Sequence, residues 1–264
     1  MNLRRVAIGI GAGGLLAYAV VLGGLYEAQD SLIYPAPQQA APAPEGYRQV
    51  QFTTADGLRL AAMFSPPAAG RKTVVFFHGN GDGWDGAAAA NRMVLAAGYG
   101  VLLVEYRGYG ANPGKPGEAG FYADGRAALE WLKSQGIGPG QTVLVGNSLG
   151  SGTATQLAGE VPAAGLAIVS GFTSLSDLVA EKVSWAPTRY LVRDHFDNAA
   201  KLGQIAAPVL LLHGSADTMI GPDHARTLAR AQPRARLVLV PGFGHELAYQ
   251  DAAQMVLLDW LTGL

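Results

Sequence analysis

"LVGNSLGSGTA", residues 144–154, closes an apolar run on a serine with glycine two places before it and two places after it. Behind Ser148 the chain stays small, with Gly150, Gly152 and Ala154 separated by Ser151 and Thr153. A strand that turns sharply into a helix needs such residues, because the two backbones come nearly into contact at the turn. A serine at its apex is exposed, as a nucleophile has to be. A glycine-rich turn without chemistry would look the same in a chain with 36 glycines among 264 residues. The surrounding sequence has to decide.

Outward from this stretch the same form recurs. "TVVFFHG" (73–79), "GVLLVEYRG" (100–108), "TVLVGNS" (142–148), "LAIVSG" (166–171), "PVLLLHG" (208–214) and "RLVLVPG" (236–242) are apolar runs closing on a turn. Strands buried on both faces have this pattern. Helical periodicity fills the gaps at roughly 86–97, 121–135, 149–160, 223–231 and 246–262. Strands alternating with helices predict an α/β fold, a mostly parallel sheet covered on both faces. "YRQVQFTTADGLRLAAMF" (47–64) alternates around Asp56-Gly57 and predicts a β-hairpin. Residues 171–207 break the rhythm and predict a short cap insertion.

Ligands of open parallel sheets bind beyond the carboxyl ends of the strands. Three strand ends there carry, in chain order, Ser148, Asp217 and His245, the residue types of a nucleophile, an acid and a base. A serine hydroxyl attacks only when a base takes its proton, and histidine serves when an acid fixes its tautomer. Two backbone amides should face the oxyanion: Leu149, after the nucleophile, and Asn80 in the loop after an early strand, with Gly81 the alternative. Phe172, Trp185 and Phe196, in the insertion, are expected to line the substrate site together with Gly81. His78 and His213 each precede a strand-end glycine and are expected to brace loops, His195 and His224 to lie at the surface. Neither H-x-x-x-H nor H-E-x-x-H occurs, so neither a catalytic metal nor another cofactor is expected.

Net charge is −1 with both signs interspersed, which gives no electrostatic footprint for nucleic acid. Absence of cysteine excludes disulfides, a thiol nucleophile and thiolate-bound zinc. After "MNLRR", Val6 to Leu25 carry no charge and as a helix would cover about 30 Å, one bilayer core. Arg4 and Arg5 before it and Glu27 and Asp30 after it predict that the body lies on the non-cytoplasmic side. The run is long for a cleaved leader and no A-x-A site closes it, which favours an uncleaved anchor over residues 1–27. "GIGAGG" (9–14) matches a dinucleotide fingerprint only formally, since no strand precedes it. "YPAPQQAAPAP" (34–44) reads as extended, making 28–45 a tether and 46–264 the globular domain.

These blocks, with "SLIYPAP", "FFHGNGDG", "EYRGYGANPGKPGEAGFYADGRAALEWL", "GNSLGSGTA", "SGFTSLSDL" and "PGFGHE", resemble the α/β-hydrolase superfamily over nearly the whole chain. The nearest likeness is its membrane-anchored, serine aminopeptidase-like and esterase group. That resemblance implies the α/β-hydrolase fold, a Ser148–Asp217–His245 triad and an oxyanion loop at Asn80. "TMIGP" after Asp217 departs from the Val/Ile-Pro more usual in the family. The expected activity is a carboxylesterase acting on a small-molecule or lipid ester through an acyl-enzyme. Alternatives are a lipid-directed thioesterase or monoacylglycerol lipase, a peptidase, or a non-catalytic scaffold on the same fold.

Overall fold

The computed structural model describes residues 3–264. Its first element is a 31-residue helix, α1 (Leu3–Ile33). A hairpin follows, β1 (Arg48–Thr53) and β2 (Arg59–Ser65), then β3 (Thr73–Phe77), helices α2 (Trp84–Ala90) and α3 (Arg92–Ala96), and β4 (Gly100–Val104). Next come α4 (Glu118–Ser134), β5 (Thr142–Asn147), α5 (Gly150–Glu160) and β6 (Gly165–Val169). The cap helices α6 (Leu175–Lys182), α7 (Thr188–Leu191) and α8 (Asn198–Leu202) lead into β7 (Val209–Gly214), α9 (Asp223–Ala231), β8 (Arg236–Val240) and α10 (Asp251–Thr262).

All eight strands form one sheet in the order β1-β2-β4-β3-β5-β6-β7-β8. β1 and β2 pair antiparallel across the Asp56-Gly57 turn, β2 is antiparallel to β4, and the rest are parallel. Every residue of β3 to β7 is buried, because helices cover both faces. Alternate side chains serve the two cores: Val75 and Phe77 face α4, α5 and α9, while Val74 and Phe76 face α2, α3 and α10. The chain leaves β3 toward β4 on one side and returns to β5 on the other. That strand-order reversal opens a crevice at the carboxyl ends of β3 and β5.

The amino-terminal segment is arranged differently from a helix ending at 27 and a free tether. One stretch of α1, Gly11–Ile33, is long and apolar enough to cross a membrane. At 1.5 Å per residue the whole helix is about 46 Å long, more than a bilayer core of about 30 Å. Its last turns lie on the cap: buried Gln29 donates to the Leu191 carbonyl (3.3 Å) and accepts from Arg193 N–H (2.9 Å). Apolar Leu32 and Ile33 extend the helix past the charged turn, and both line the cavities beside the cap. The proline-rich stretch beyond is extended but not free. The Pro37 carbonyl accepts from Gly110 N–H (2.7 Å), and the Ala41 carbonyl from the Trp84 indole (2.8 Å). The side chains of Arg4 and Arg5, on which the expected orientation rests, lie outside the described part.

One charged cluster fixes the hairpin to the body. Arg107 reaches Asp124 through Nε (2.8 Å) and its own backbone N–H (2.9 Å), and Asp56 through Nη1 (2.8 Å). Asp124 is fully buried, and burial pushes its carboxyl pKa up although Arg107 opposes the shift. Removing one partner of a buried pair strands the other charge, at a cost of about 3–5 kcal/mol. Arg107→Ala should therefore lower Tm by about 10 °C on thermal unfolding of the full chain, at 2–4 °C per kcal/mol. A shift below about 2 °C would mean that the cluster is solvated rather than structural.

Candidate active site

The turn between β5 and α5 is as tight as its glycines suggest. Ser148 has φ +50°, a conformation disfavoured for any residue with a side chain, and is held there by Ser148 N–H to the Val169 carbonyl (2.9 Å) and by the Ser151 hydroxyl to the Ser148 carbonyl (2.6 Å). A Cβ on Gly150 would lie 2.0 Å from the Phe77 carbonyl oxygen, and one on Gly146 would lie 2.4 Å from that of Gly150. No other residue fits at either place, and their closeness lifts Ser148 clear of both elements.

Two loops bring the other expected residues to it. The loop after β7 carries Asp217 and the one after β8 carries His245. They are cross-tied by Ser215 N–H to the Val240 carbonyl and Ala216 N–H to the Phe243 carbonyl, both 2.9 Å. His245 Nδ1 stands 2.8 Å from Asp217 Oδ2, and Nε2 stands 3.0 Å from Ser148 Oγ. With a carboxylate at Nδ1, the ring carries its proton there and leaves Nε2 to accept from the serine hydroxyl. Asp217 is buried, which alone would raise its pKa. The nearby His213 Nε2 at 3.5 Å, His245, and the Met219 and Ile220 amides on Oδ1 (2.9 Å each) outweigh this and hold it well below the usual carboxylate range. The acid is therefore ionised throughout the neutral range.

Asn80 and Leu149 line the same cavity as Ser148, about 250 Å³ in volume. Among the described residues neither backbone amide has a protein acceptor. Leu149 also stands at the start of α5, where the helix dipole favours negative charge. The Asn80 side chain is clamped, donating to the Ile33 carbonyl at the end of α1 and accepting from the Tyr109 hydroxyl (2.8 Å). Beneath it the loop is tied at both ends to Glu105: Oε1 lies 3.0 Å from His78 Nε2 and Oε2 accepts from Trp84 N–H (3.0 Å). Burial opposes charge on His78, but Glu105 and the Gly79 carbonyl at Nδ1 (2.8 Å) prevail, and its pKa is raised.

The expected lining residues divide. Phe172 borders the cavity. Gly81 faces a neighbouring polar hollow with Asp82 and Glu105. Phe196 is fully buried beneath α5, its ring filling the notch that Gly152 leaves. Trp185 is 52% exposed at the outer edge of the cap, edge-on to Tyr18 of α1. Tertiary packing claims both aromatics, so the wall is built instead by Leu175, Leu178, Val179 and Lys182 of α6, by Met219 and Ile220 after Asp217, and by Leu32 and Ile33 of α1. The i, i+3, i+4 spacing of the α6 residues was a readable sign of one apolar helix face. His195 is exposed as expected, whereas His224 is buried under the cap with Nδ1 3.0 Å from Thr173 Oγ1.

A family model described as alpha/beta hydrolase fold matches residues 72–196, and one described as TAP-like protein matches 184–263. The chain is 37% identical over 256 residues to the uncharacterized protein Rv2307c of Mycobacterium tuberculosis, covering 93% of this chain and 90% of that one. It is 27% identical over 229 residues to the uncharacterized protein YfhR of Escherichia coli K12, covering 83% and 80%. Among solved structures, the esterase domain of a Rhodothermus marinus protein aligns with a TM-score of 0.65 at 22% identity, over 81% of this chain and 97% of that one. The Pyrococcus furiosus esterase Pf2001 aligns with a TM-score of 0.67 at 20% identity, over 86% and 94%. At those identities the likeness is one of fold. With the relative from M. tuberculosis matched along nearly its whole length, and the sheet and serine turn in place, the chain belongs to the α/β-hydrolase superfamily.

Proposed function

We propose that this protein is a serine hydrolase of carboxylic esters, a carboxylesterase held by α1 to the non-cytoplasmic face of a membrane. The observation that carries the reading is the unbroken chain from Ser148 Oγ through His245 to Asp217, at 3.0 and 2.8 Å. The solved structures of similar fold that are named as esterases support the same reaction class.

In this mechanism Ser148 Oγ attacks the acyl carbonyl while its proton passes to His245 Nε2. Asp217 stabilises the imidazolium, and the Asn80 and Leu149 amides donate to the oxyanion of the tetrahedral intermediate. His245 then returns the proton to the departing alkoxide, leaving an acyl group on Ser148. Water, deprotonated by the same imidazole, attacks that acyl-enzyme, and collapse of the second tetrahedral intermediate frees the acid and restores the serine.

Ser148→Ala removes the nucleophile without disturbing any packing that depends on its hydroxyl. Turnover of a p-nitrophenyl ester should fall about 10⁴-fold or more, with Tm within about 2 °C of wild type. Near-wild-type turnover by that variant would sink the mechanism. The pH profile carries a second expectation. Asp217 stays ionised far below neutrality, so only one group in the relay gains a proton as the solution becomes acidic. On the acid limb log kcat/KM should fall with unit slope, because a protonated imidazole cannot accept from serine. A slope near two would mean that the carboxylate titrates together with the ring, contrary to the amides and imidazole that hold its charge.

A further inference from the structure

The cavity at Ser148 has a neighbour along α1. A second cavity of about 240 Å³ lies between α1 and the cap, and the two share Leu32, Ile33 and Val179 in their walls. On the α1 side its lining is Leu22, Leu25, Tyr26, Gln29, Leu32 and Ile33, a single helical face at spacings of three and four. The cap side is Val179, Val183, Ala186, Thr188, Leu191 and Val192. Gln29, the one amide in that face, is spent on cap backbone at both ends. Placed end to end across their shared wall, the two cavities form a mostly apolar trough from the nucleophile along the membrane-type helix, with Lys182 and Thr188 among its polar side chains besides Gln29. The outer edge of the cap carries exposed Trp185 and Tyr190, residue types that settle at a membrane–water boundary, and the Tyr18 hydroxyl of α1 donates to the Trp185 carbonyl (3.0 Å).

Resting on the ester-hydrolase reading, we infer that the substrate is a long-chain acyl ester resident in the bilayer, whose tail lies between α1 and the cap while its carbonyl sits at Ser148. From Leu22 to Ile33 the helix rises about 16 Å. An extended chain advances about 1.2 Å per bond, a third of the extended residue length, so the trough takes an acyl chain of about 12–14 carbons. The tail enters from lipid because the far end of the trough lies on the helix segment that faces the membrane.

The test uses the full-length protein in phosphatidylcholine vesicles with p-nitrophenyl esters from acetate to palmitate. Each methylene buried should raise kcat/KM roughly threefold to fourfold until the trough is full, with the rise ending near 12–14 carbons. Val183→Trp, and independently Leu25→Trp on the opposite wall, should lower the ratio of myristate to butyrate kcat/KM at least tenfold. Labelling of Ser148 by a fluorophosphonate confirms that each variant is folded. At fixed total myristate ester, diluting it with more phospholipid should lower the rate in proportion to its mole fraction. A rate that follows bulk ester concentration instead would overturn entry from the membrane. A wild-type preference for acetate or butyrate, or ratios unchanged in both labelled variants, would overturn the trough while leaving the ester hydrolase intact. Loss of all ester turnover together with absence of Ser148 labelling in the wild type would instead strike the underlying hydrolase reading.

Discussion

Everything at the candidate site depends on how closely the first turn of α5 approaches the end of β3. Where Gly150 meets the Phe77 carbonyl there is no room for a single methyl group. That approach forces the chain through a left-handed conformation at Ser148 and sets Leu149 in the wall of one cavity with Asn80 of the loop after β3. The strain of a serine at φ +50° is of order 1–3 kcal/mol, sustained by the buried sheet on both sides. Five fully buried parallel strands supply that rigidity. A looser sheet would relax the turn and lower the serine back into the backbone.

Electrostatics then act on a frame that packing has already set. Asp217 is buried, yet its charge is retained because two backbone amides of its own turn donate to Oδ1 and His245 Nδ1 stands at Oδ2, with His213 close by. Fixed donors of this kind need no reorganisation when charge appears on the neighbouring imidazole. The same device recurs beneath Asn80, where Glu105 holds both ends of the loop through His78 and Trp84. One side of the site is positioned by a buried carboxylate after β7, the other by a buried carboxylate after β4.

The sheet and the three residues joined at Ser148 were legible because each has a local signature. Apolar runs closing on glycine mark buried parallel strands, and the order Ser148, Asp217, His245 follows the strand ends. The walls of the cavity were not legible in the same way. Phe196 and Trp185 have the composition of site-lining aromatics, but the first is drawn under α5 by the gap at Gly152 and the second is carried outward against Tyr18. Such outcomes rest on contacts between segments far apart in sequence, which no local pattern encodes. The docking of α1 is the largest instance: Leu32 and Ile33 follow a charged turn and precede a proline-rich stretch, so hydropathy alone ends the helix too early. Their adjacency to the apolar face begun at Leu22 and Leu25 was the available sign.

The continuity of α1 changes what a short cap can do. Only 171–207 are inserted between β6 and β7, and three brief helices cannot enclose an apolar cavity by themselves. Here the missing wall comes from α1, which arrives from the other end of the chain and closes on Asn80 through its last carbonyl. A flexible tether would let the domain tumble beside the bilayer, and its site would meet lipid only in passing. A helix unbroken from Leu3 to Ile33, pinned by Gln29 to the cap and flanked by the Arg193–Asp30 pair at 3.3 Å, fixes the site's orientation to the helix axis instead. Under the proposed reading the anchor is therefore part of the active site: the residues that hold the protein at the membrane are continuous with those that would receive the substrate's tail.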